Sequence, residues 1–324
     1  MNIINNTPRG GSLTFSILNM TYIHAADALI AAYRRGVQVR VVADYPWSQF
    51  KKLQQAIGKN QKAKSWAIIR GHGFREHSKF LLASTSGGKA NVVWISSGNF
   101  SMLEDRSQAN DVLITTGDKP LYSFLSKQFD LMSSGVVDPK KLGRSTTTPT
   151  AFVQTYPIEN GGQGKDPTED FLSNVTCVKD GQHTVIRMAH YIISVQRQYL
   201  VEQLRNLAAQ GCDVRVVGDT ASWGEVPRDT LAAPGPGHVA LRTATGAILH
   251  TKIIVINGWD AAGNRMDVAM AGSHNLSGRG LTKSDTGVND ELSVFLWNPA
   301  IVKGYTDWVD MVIAKHSKPY VAKK

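Results

Sequence analysis

Two tripeptides, His77-Ser-Lys79 and His250-Thr-Lys252, carry the residue types of phosphoryl chemistry. On an extended strand, residues two apart share a face, so each imidazole stands beside an ammonium. The imidazole can attack or protonate a phosphoryl centre while the Lys holds a nonbridging oxygen. After each pair come a turn-forming stretch (86–89 and 258–264) and an apolar run that closes in small residues and an Asn. These closing turns are Ser96-Ser97-Gly98-Asn99 and Gly272-Ser273-His274-Asn275. Small residues admit a phosphate close to the backbone, and Asn99 and Asn275 offer neutral donors to it. Asn110-Asp111 and Asn289-Asp290-Glu291 follow. Asp111 and Glu291 are the carboxylates expected to hold a His Nδ1–H, which fixes the tautomer and stabilises an imidazolium. A lone strand His beside a Lys is usually structural; four residue types in one order, twice, mark a site.

The surrounding elements repeat as well. Residues 25–45 read as an amphipathic helix ended by Gly36 and followed by a β-branched strand ending in Asp44, and 199–220 have the same grammar. The run GVQVRVVAD from Gly36 matches GCDVRVVGD from Gly211, and LTFSILNMT from Leu13 pairs with VIRMAHYII from Val185. Four such blocks in one order divide the chain into repeats at 1–149 and 150–324. Each mixes helices with β-branched runs, so the expected fold is α/β: two similar α-β-α sandwich halves about a pseudo-twofold axis. Residues 134–168 are linker-like apart from a strand at 150–157 that has no counterpart in the first half. A helix is expected at 171–177, opposite Asn2.

This pattern resembles the phospholipase D superfamily, whose signature is His-x-Lys, four residues, Asp, then Gly-Ser-x-Asn, twice per active site. The likeness covers nearly the whole chain and is closest in feel to the divergent phospholipase D-like proteins of actinobacteria. It implies a metal-independent reaction without cofactor. One His becomes a transient phosphohistidine and the other protonates the leaving group. By position His77 resembles the nucleophile and His250 the general acid; Lys79, Lys252, Asn99 and Asn275 would bind phosphate, with Ser97 and Ser273 at the supporting serine. Both signature aspartates are replaced, by Ser84 and Asn257, and the His-to-Asn spacings are 22 and 25.

Other chemistries find little support. No Gly-x-Ser-x-Gly elbow occurs, and the segment around Lys165 lacks the spacing of a P-loop. His72 and His77 have no carboxylate at a zinc spacing, so no metal is expected, and His183, His190, His238 and His316 read as packing or surface residues. Cys177 and Cys212 are too few for a disulfide scaffold and read as two buried thiols. No apolar run reaches the roughly 18 residues of a membrane span. Met1–Gly11 holds no apolar signal core. A soluble chain is therefore expected, with secretion left open should residues precede Met1.

The substrate is the open question. The chain carries 36 Lys+Arg against 26 Asp+Glu, and the whole excess falls in residues 1–149, which hold 19 against 9. Seven of these cations lie between Lys51 and Arg75, directly after the aromatic loop Tyr45-Pro-Trp47-Ser-Gln-Phe50. The equivalent loop carries Trp223 and leads into 231–237, a candidate lid. Trp47, Phe50, Lys51, Lys52 and Trp223 are thus the candidate substrate contacts. Aromatics beside cations suit a phospholipid at an anionic membrane surface. They also suit nucleic acid, through base stacking and backbone tracking, as in a nuclease or DNA-end phosphodiesterase. The expected activity is a phosphodiesterase, hydrolysing or transferring, most readily on phospholipids. An inactive phosphate-binding module is the third reading, against which the intact His and Lys pairs count. A twofold site within one chain needs no second copy, so a monomer without an obligate protein partner is expected.

Overall fold

A computed structural model describes residues 1–71, 73–284 and 287–321, and the side chains of all of these but 103–105. Two mixed sheets form the frame. The first orders its six strands as Trp66–Ile69, Gln38–Ala43, Ser12–Ile17, Phe80–Ser86, Lys89–Ser96 and Val112–Thr115. The second repeats that order with Leu241–Ala244, Asp213–Gly218, Val185–His190, Lys252–Asp260, Arg265–Gly272 and Val288–Leu296. It then extends past Val288–Leu296 through Ala151–Tyr156 and Ser145–Thr147, the strand for which the first sheet has no equivalent.

The helices follow from apolar spacing. Ile23–Arg34 buries Ala25, Ala26, Leu29 and Ile30 on one face, and Gln198–Ala209 buries Leu200, Val201, Leu204 and Leu207. Helix starts are set by side-chain caps: Asp118, Asp166 and Asn298 each accept a backbone N–H just before a Pro. The expected helix at 171–177 lies earlier, at Pro167–Ser173, because Asp166 caps it there and Val175–Thr176 pairs with the Lys252–Asp260 strand.

Each sheet has an outer core of its own, built on Phe15, Leu29 and Phe50 in one half and on Met188, Leu204 and Trp223 in the other. Between the sheets lies a shared core in which Phe80, Leu82 and Ile95 meet Ile253, Val255 and Val294, joined by the helices Lys119–Ser133 and Pro299–Lys315. Short strands also cross over. Phe74–Glu76 pairs in parallel with Val288–Asp290, and Ile248–Leu249 pairs with Gln108–Ala109. These crossings lead directly into His77 and His250, so each half seats the other's tripeptide.

Cys177 and Cys212 form a disulfide, Sγ–Sγ 2.08 Å, contrary to the two separate thiols expected from their number. The spacing of 35 residues hides a close approach that the fold creates, since both flank the start of the second half's first two parallel strands.

Candidate active site

His77-Ser-Lys79 lies just ahead of the strand that begins at Phe80, and His250-Thr-Lys252 runs into the strand that begins at Lys252 itself. The apolar runs after them are core, and this leaves the His and Lys at one end of each sheet. His77 and His250 are nearly buried; Lys79 and Lys252 are fully so. Lys79 Nζ donates to the His77 carbonyl and Lys252 Nζ to that of His250 at 2.5 Å, so each ammonium is folded back beside its own imidazole. Lys252 Nζ also lies 3.3 Å from both ring nitrogens of His250.

The two halves meet in one electrostatic site. Burial pushes the His77 imidazole well below the usual range, helped by Lys79, Lys252, Arg75 and Arg279. His250 is lowered by burial and then by Lys252, Lys79 and His77. Each imidazole therefore feels both ammonium groups and rests neutral, while a bound phosphate dianion or monoanion would offset the charge that opposes its protonation.

The orienting groups come from across the interface and are not alike. Glu291 Oε1 stands 2.7 Å from His77 Nδ1. Its partner is not Asp111: His250 Nδ1 instead donates to Asn110 Oδ1 at 2.8 Å. Asp111 turns away and accepts from the Tyr305 hydroxyl at 3.2 Å. The register explains the shift of one residue. Ser97 Oγ accepts from Asp111 N, whereas Ser273 Oγ accepts from Leu292 N, so Asn110 and Glu291 are the equivalent positions. The serines sit as expected and hold these groups, Ser97 Oγ on Asn110 Oδ1 at 3.2 Å and Ser273 Oγ on Glu291 Oε2 at 2.5 Å. Burial pushes the Glu291 carboxyl up to about 7.

The irregular first turn now has a reason. A Cβ on Gly98 would lie 2.6 Å from Asn110 Cγ, so glycine at this position makes room for the amide that faces His250. In the second turn the residue equivalent to Gly98 is His274, buried against Tyr156 and Arg197 and held away from the reaction centre. Its glycine is Gly272, whose positive φ and whose approach to the Leu292 carbonyl would exclude any side chain. Where the signature aspartates would stand, Ser84 Oγ accepts from Ser12 N and Asn257 bridges Arg187 and Asp267. Ser84 accepts as an aspartate could, whereas the Asn257 amide donates to Asp267, which an aspartate could not do.

Among the candidate substrate contacts, Trp47 is 49% exposed but Phe50 is fully buried, because Phe50 is the inward residue of the helix Ser48–Ile57. Trp223 is buried too: Gly218 leaves room for its ring, and its Nε1 donates to the His190 carbonyl. Lys51 is exposed and Lys52 pairs with Asp27. The basic run disperses. Arg70 is buried against Asp290, while Gln61 and Lys64 line a cavity with Ser12 and Gln38, the first residues of their strands and so the end away from the site. Arg75 remains near the site, paired with Asp44 and over the Tyr45 ring. Residues 231–237 are pinned rather than free, since Arg205 donates to the carbonyls of Thr230, Ala233 and Pro236. Tyr191, whose ring centroid lies 4.5 Å from that of His250, escaped the sequence reading, and His190, read there as packing or surface, is fully buried and paired in register with Lys252. Both simply continue an apolar strand, and only its register beside Lys252 distinguishes them. His72 lies outside the described residues. Among the described residues no group of three or more His, Cys, Asp or Glu is placed to hold a metal ion.

Residues 180–313 match the family described as cardiolipin synthase, PLD-like domain. The match covers most of the second half and less than half of the chain. The superfamily resemblance drawn from the two motifs is thereby borne out, as is the α/β fold. No curated protein matches the chain. Among solved structures, polyphosphate kinase from Porphyromonas gingivalis is similar over 95% of this chain and 44% of its own, at 14% identity and a TM-score of 0.65. The chain thus spans less than half of that protein, and the likeness is one of fold. The phospholipase D family member Nuc from Salmonella typhimurium aligns over 52% of this chain and 98% of its own, with 21% identity and a TM-score of 0.39. A yeast tyrosyl-DNA phosphodiesterase mutant aligns over 90% and 83%, with 12% identity and a TM-score of 0.49. Among the described residues no helix is long and apolar enough to cross a membrane.

Proposed function

We propose that this phospholipase D-like chain cleaves a phosphodiester through a phosphohistidine on His77, with His250 as general acid, and that the substrate is a phospholipid. The observation that carries the reading is the unequal pair of orienting groups, Glu291 on His77 and Asn110 on His250. A carboxylate at Nδ1 frees the Nε2 lone pair for attack and balances the positive charge that the ring gains as the P–N bond forms. A neutral amide fixes the His250 tautomer without adding a counter-charge, so its imidazolium, 3.3 Å from the Lys252 ammonium, gives up its proton readily.

In the first step the P–N bond to His77 forms, the P–O bond to the leaving group breaks, and the His250 Nε2 proton passes to the departing oxygen. In the second step a water attacks phosphorus and gives its proton to His250 while the P–N bond breaks. An alcohol in place of water gives transfer. Lys79, Lys252, Asn99 and Asn275 hold the nonbridging oxygens throughout.

Lipid is supported by what surrounds the site. The site lies where Ser12–Ile17 and Val185–His190 end, and the helix starts that follow that end of the sheets carry exposed Ile23, Trp47, Met102, Val195 and Val226 from both halves. Apolar side chains spaced around a buried charged centre suit the headgroup and acyl boundary. Nucleic acid draws on exposed Lys51, but Lys64, at the far end of the sheet, falls off any path through the site. The Cys177–Cys212 disulfide supports an oxidising compartment.

The test pairs phosphatidylcholine vesicles containing anionic lipid with single-stranded DNA, assayed side by side with and without EDTA. EDTA-insensitive turnover of the lipid, lost in His77→Ala, is expected; turnover of DNA alone replaces the lipid reading, and turnover of neither fits the inactive module. With a ³²P-labelled diester, an acid-labile adduct should accumulate in His250→Ala and not in His77→Ala, and the reverse pattern exchanges the two roles.

A further inference from the structure

The site is twofold in its His and Lys but not in what covers the two imidazoles. Tyr191 is half-buried, and its ring lies 4.5 Å from the His250 ring at 58°. The Lys252 ammonium lies 5.2 Å from the same Tyr191 centroid. Tyr191 N donates to the carbonyl of Thr251, the residue between His250 and Lys252, at 3.0 Å. The aromatic residue is therefore tied to the tripeptide by backbone and by ring. The strand registers identify its counterpart. Ala189 pairs with Ile253 as Ser16 pairs with Phe80, so two residues further on Tyr191 corresponds to Leu18. The position that places an aromatic ring on His250 is thus occupied by an aliphatic residue in the first half.

We propose that Tyr191 is a positioning residue for the general acid, a π face that lets His250 carry its proton beside Lys252 and keeps the ring aimed at the leaving oxygen. This rests on the assignment of His250 as the acid. The physical need is plain: an imidazolium at His250 would stand 3.3 Å from an ammonium, and its Nδ1 partner Asn110 brings no negative charge. The negative face of an aromatic ring attracts both cations without itself taking up a proton, which a carboxylate in this place would do. His77 acts as a neutral nucleophile with Glu291 for its developing charge and needs no such face. The broken symmetry thus follows the division of labour: the carboxylate on one imidazole, the ring on the other.

The experiment compares two soluble phosphodiesters that share an acyl-free phosphate and differ in the leaving group, p-nitrophenol or a simple alkanol. A nitrophenolate departs without a proton and an alkoxide does not, so general acid catalysis is read in the ratio of kcat/KM for the two. Tyr191→Leu, which installs the first-half residue type, is expected to lower turnover of the alkyl diester about 10- to 100-fold, with the nitrophenyl diester within roughly 3-fold. Its alkyl-diester profile should also fall off at lower pH as pH rises, because the proton on His250 is held less firmly. Tyr191→Phe keeps the face and should hold both substrates within roughly 3-fold of the parent. Should Tyr191→Leu fail to fold, Tyr191→Met carries the same comparison. Equal loss on both substrates, or no loss on either, overturns the proposal while a leaving-group-dependent loss in His250→Ala leaves the underlying assignment standing. Equal loss on both in His250→Ala itself removes that assignment, and the role of Tyr191 with it.

Discussion

Glu291 and Asn110 occupy one position in two repeats, yet one ionises and the other does not, and this single difference gives the two histidines separate work. It also leaves a thermodynamic trace. Burial lifts the Glu291 carboxyl from 4.5 to about 7, so ionising it costs more in the folded chain than in the unfolded one. A group raised in this way contributes stability that is present below its unfolded value and is lost as pH rises through about 7. Glu291→Gln removes the cost. Relative to the parent, the variant should gain up to about 3 kcal/mol between pH 4.5 and pH 8 in urea unfolding, while phosphodiester turnover falls about 10²- to 10⁴-fold. A difference in stability that stays flat with pH would remove the buried carboxyl from this role. The sequence made Glu291 legible but pointed to Asp111 for its partner, because Ser97 and Asn110 are 13 residues apart and Ser273 and Glu291 are 18 apart. With loops of unequal length, only the strand register equates Asn110 with Glu291, and a carboxylate beside an Asn is the chemically tempting choice.

The helix Ser48–Ile57 shows how far an element can be read in advance. Its composition announces aromatics and lysines after a strand, and those residues are there; which of them faces the core is a matter of phase. Phe50, Leu53 and Ile57 share the inward stripe, so Trp47, at the helix cap, is left outside and Phe50 is not available to a ligand. The two tryptophans of the equivalent loops part for a similar reason, since Gly218 admits the Trp223 ring to the interior and Ala43 is the equivalent end of the first-half strand. The repeated strand order and the hairpins were readable because periodicity encodes them; the outward or inward turn of single aromatics was not, because neighbours distant in sequence decide it. Trp47→Ala should weaken binding to anionic vesicles roughly 10-fold or more, as expected for about 1.5–3 kcal/mol of lost apolar burial, and leave turnover of a soluble diester unchanged. Phe50→Ala should instead cost about 3–5 kcal/mol of stability with vesicle binding by the folded fraction intact. If both variants lose vesicle binding alone, the helix sits in another phase at the membrane.

At the scale of the molecule, the halves are not beads on a linker. Phe74–Glu76 of the first half lies as a strand beside Val288–Asp290 of the second, and Arg70 Nε reaches Asp290 at 2.5 Å with both side chains buried. The backbone of His77 is part of the same seam, its N–H donating to the Asp290 carbonyl at 3.1 Å. The excess charge of the first half is thus spent partly inward, and the acid that answers Arg70 lies 220 residues away. Burial lifts Asp290 to about 6, against the pull of Arg70, so the pair marks where the halves dock and is no large source of stability in itself. Removing one member is another matter. Asp290→Ala leaves an uncompensated guanidinium in the interface and should cost about 3–5 kcal/mol in denaturant unfolding, and Arg70→Met should cost less, since a buried carboxyl can take up a proton. The double variant Arg70→Met/Asp290→Ala should recover much of the loss, giving a coupling energy of about 1–3 kcal/mol in a double-mutant cycle. Simple additivity of the two single losses would mean that the seam is held by its shared apolar core alone. Because His77 hangs on the same strand, Asp290→Ala should also lower turnover of soluble diesters, and the double variant should restore turnover in step with stability.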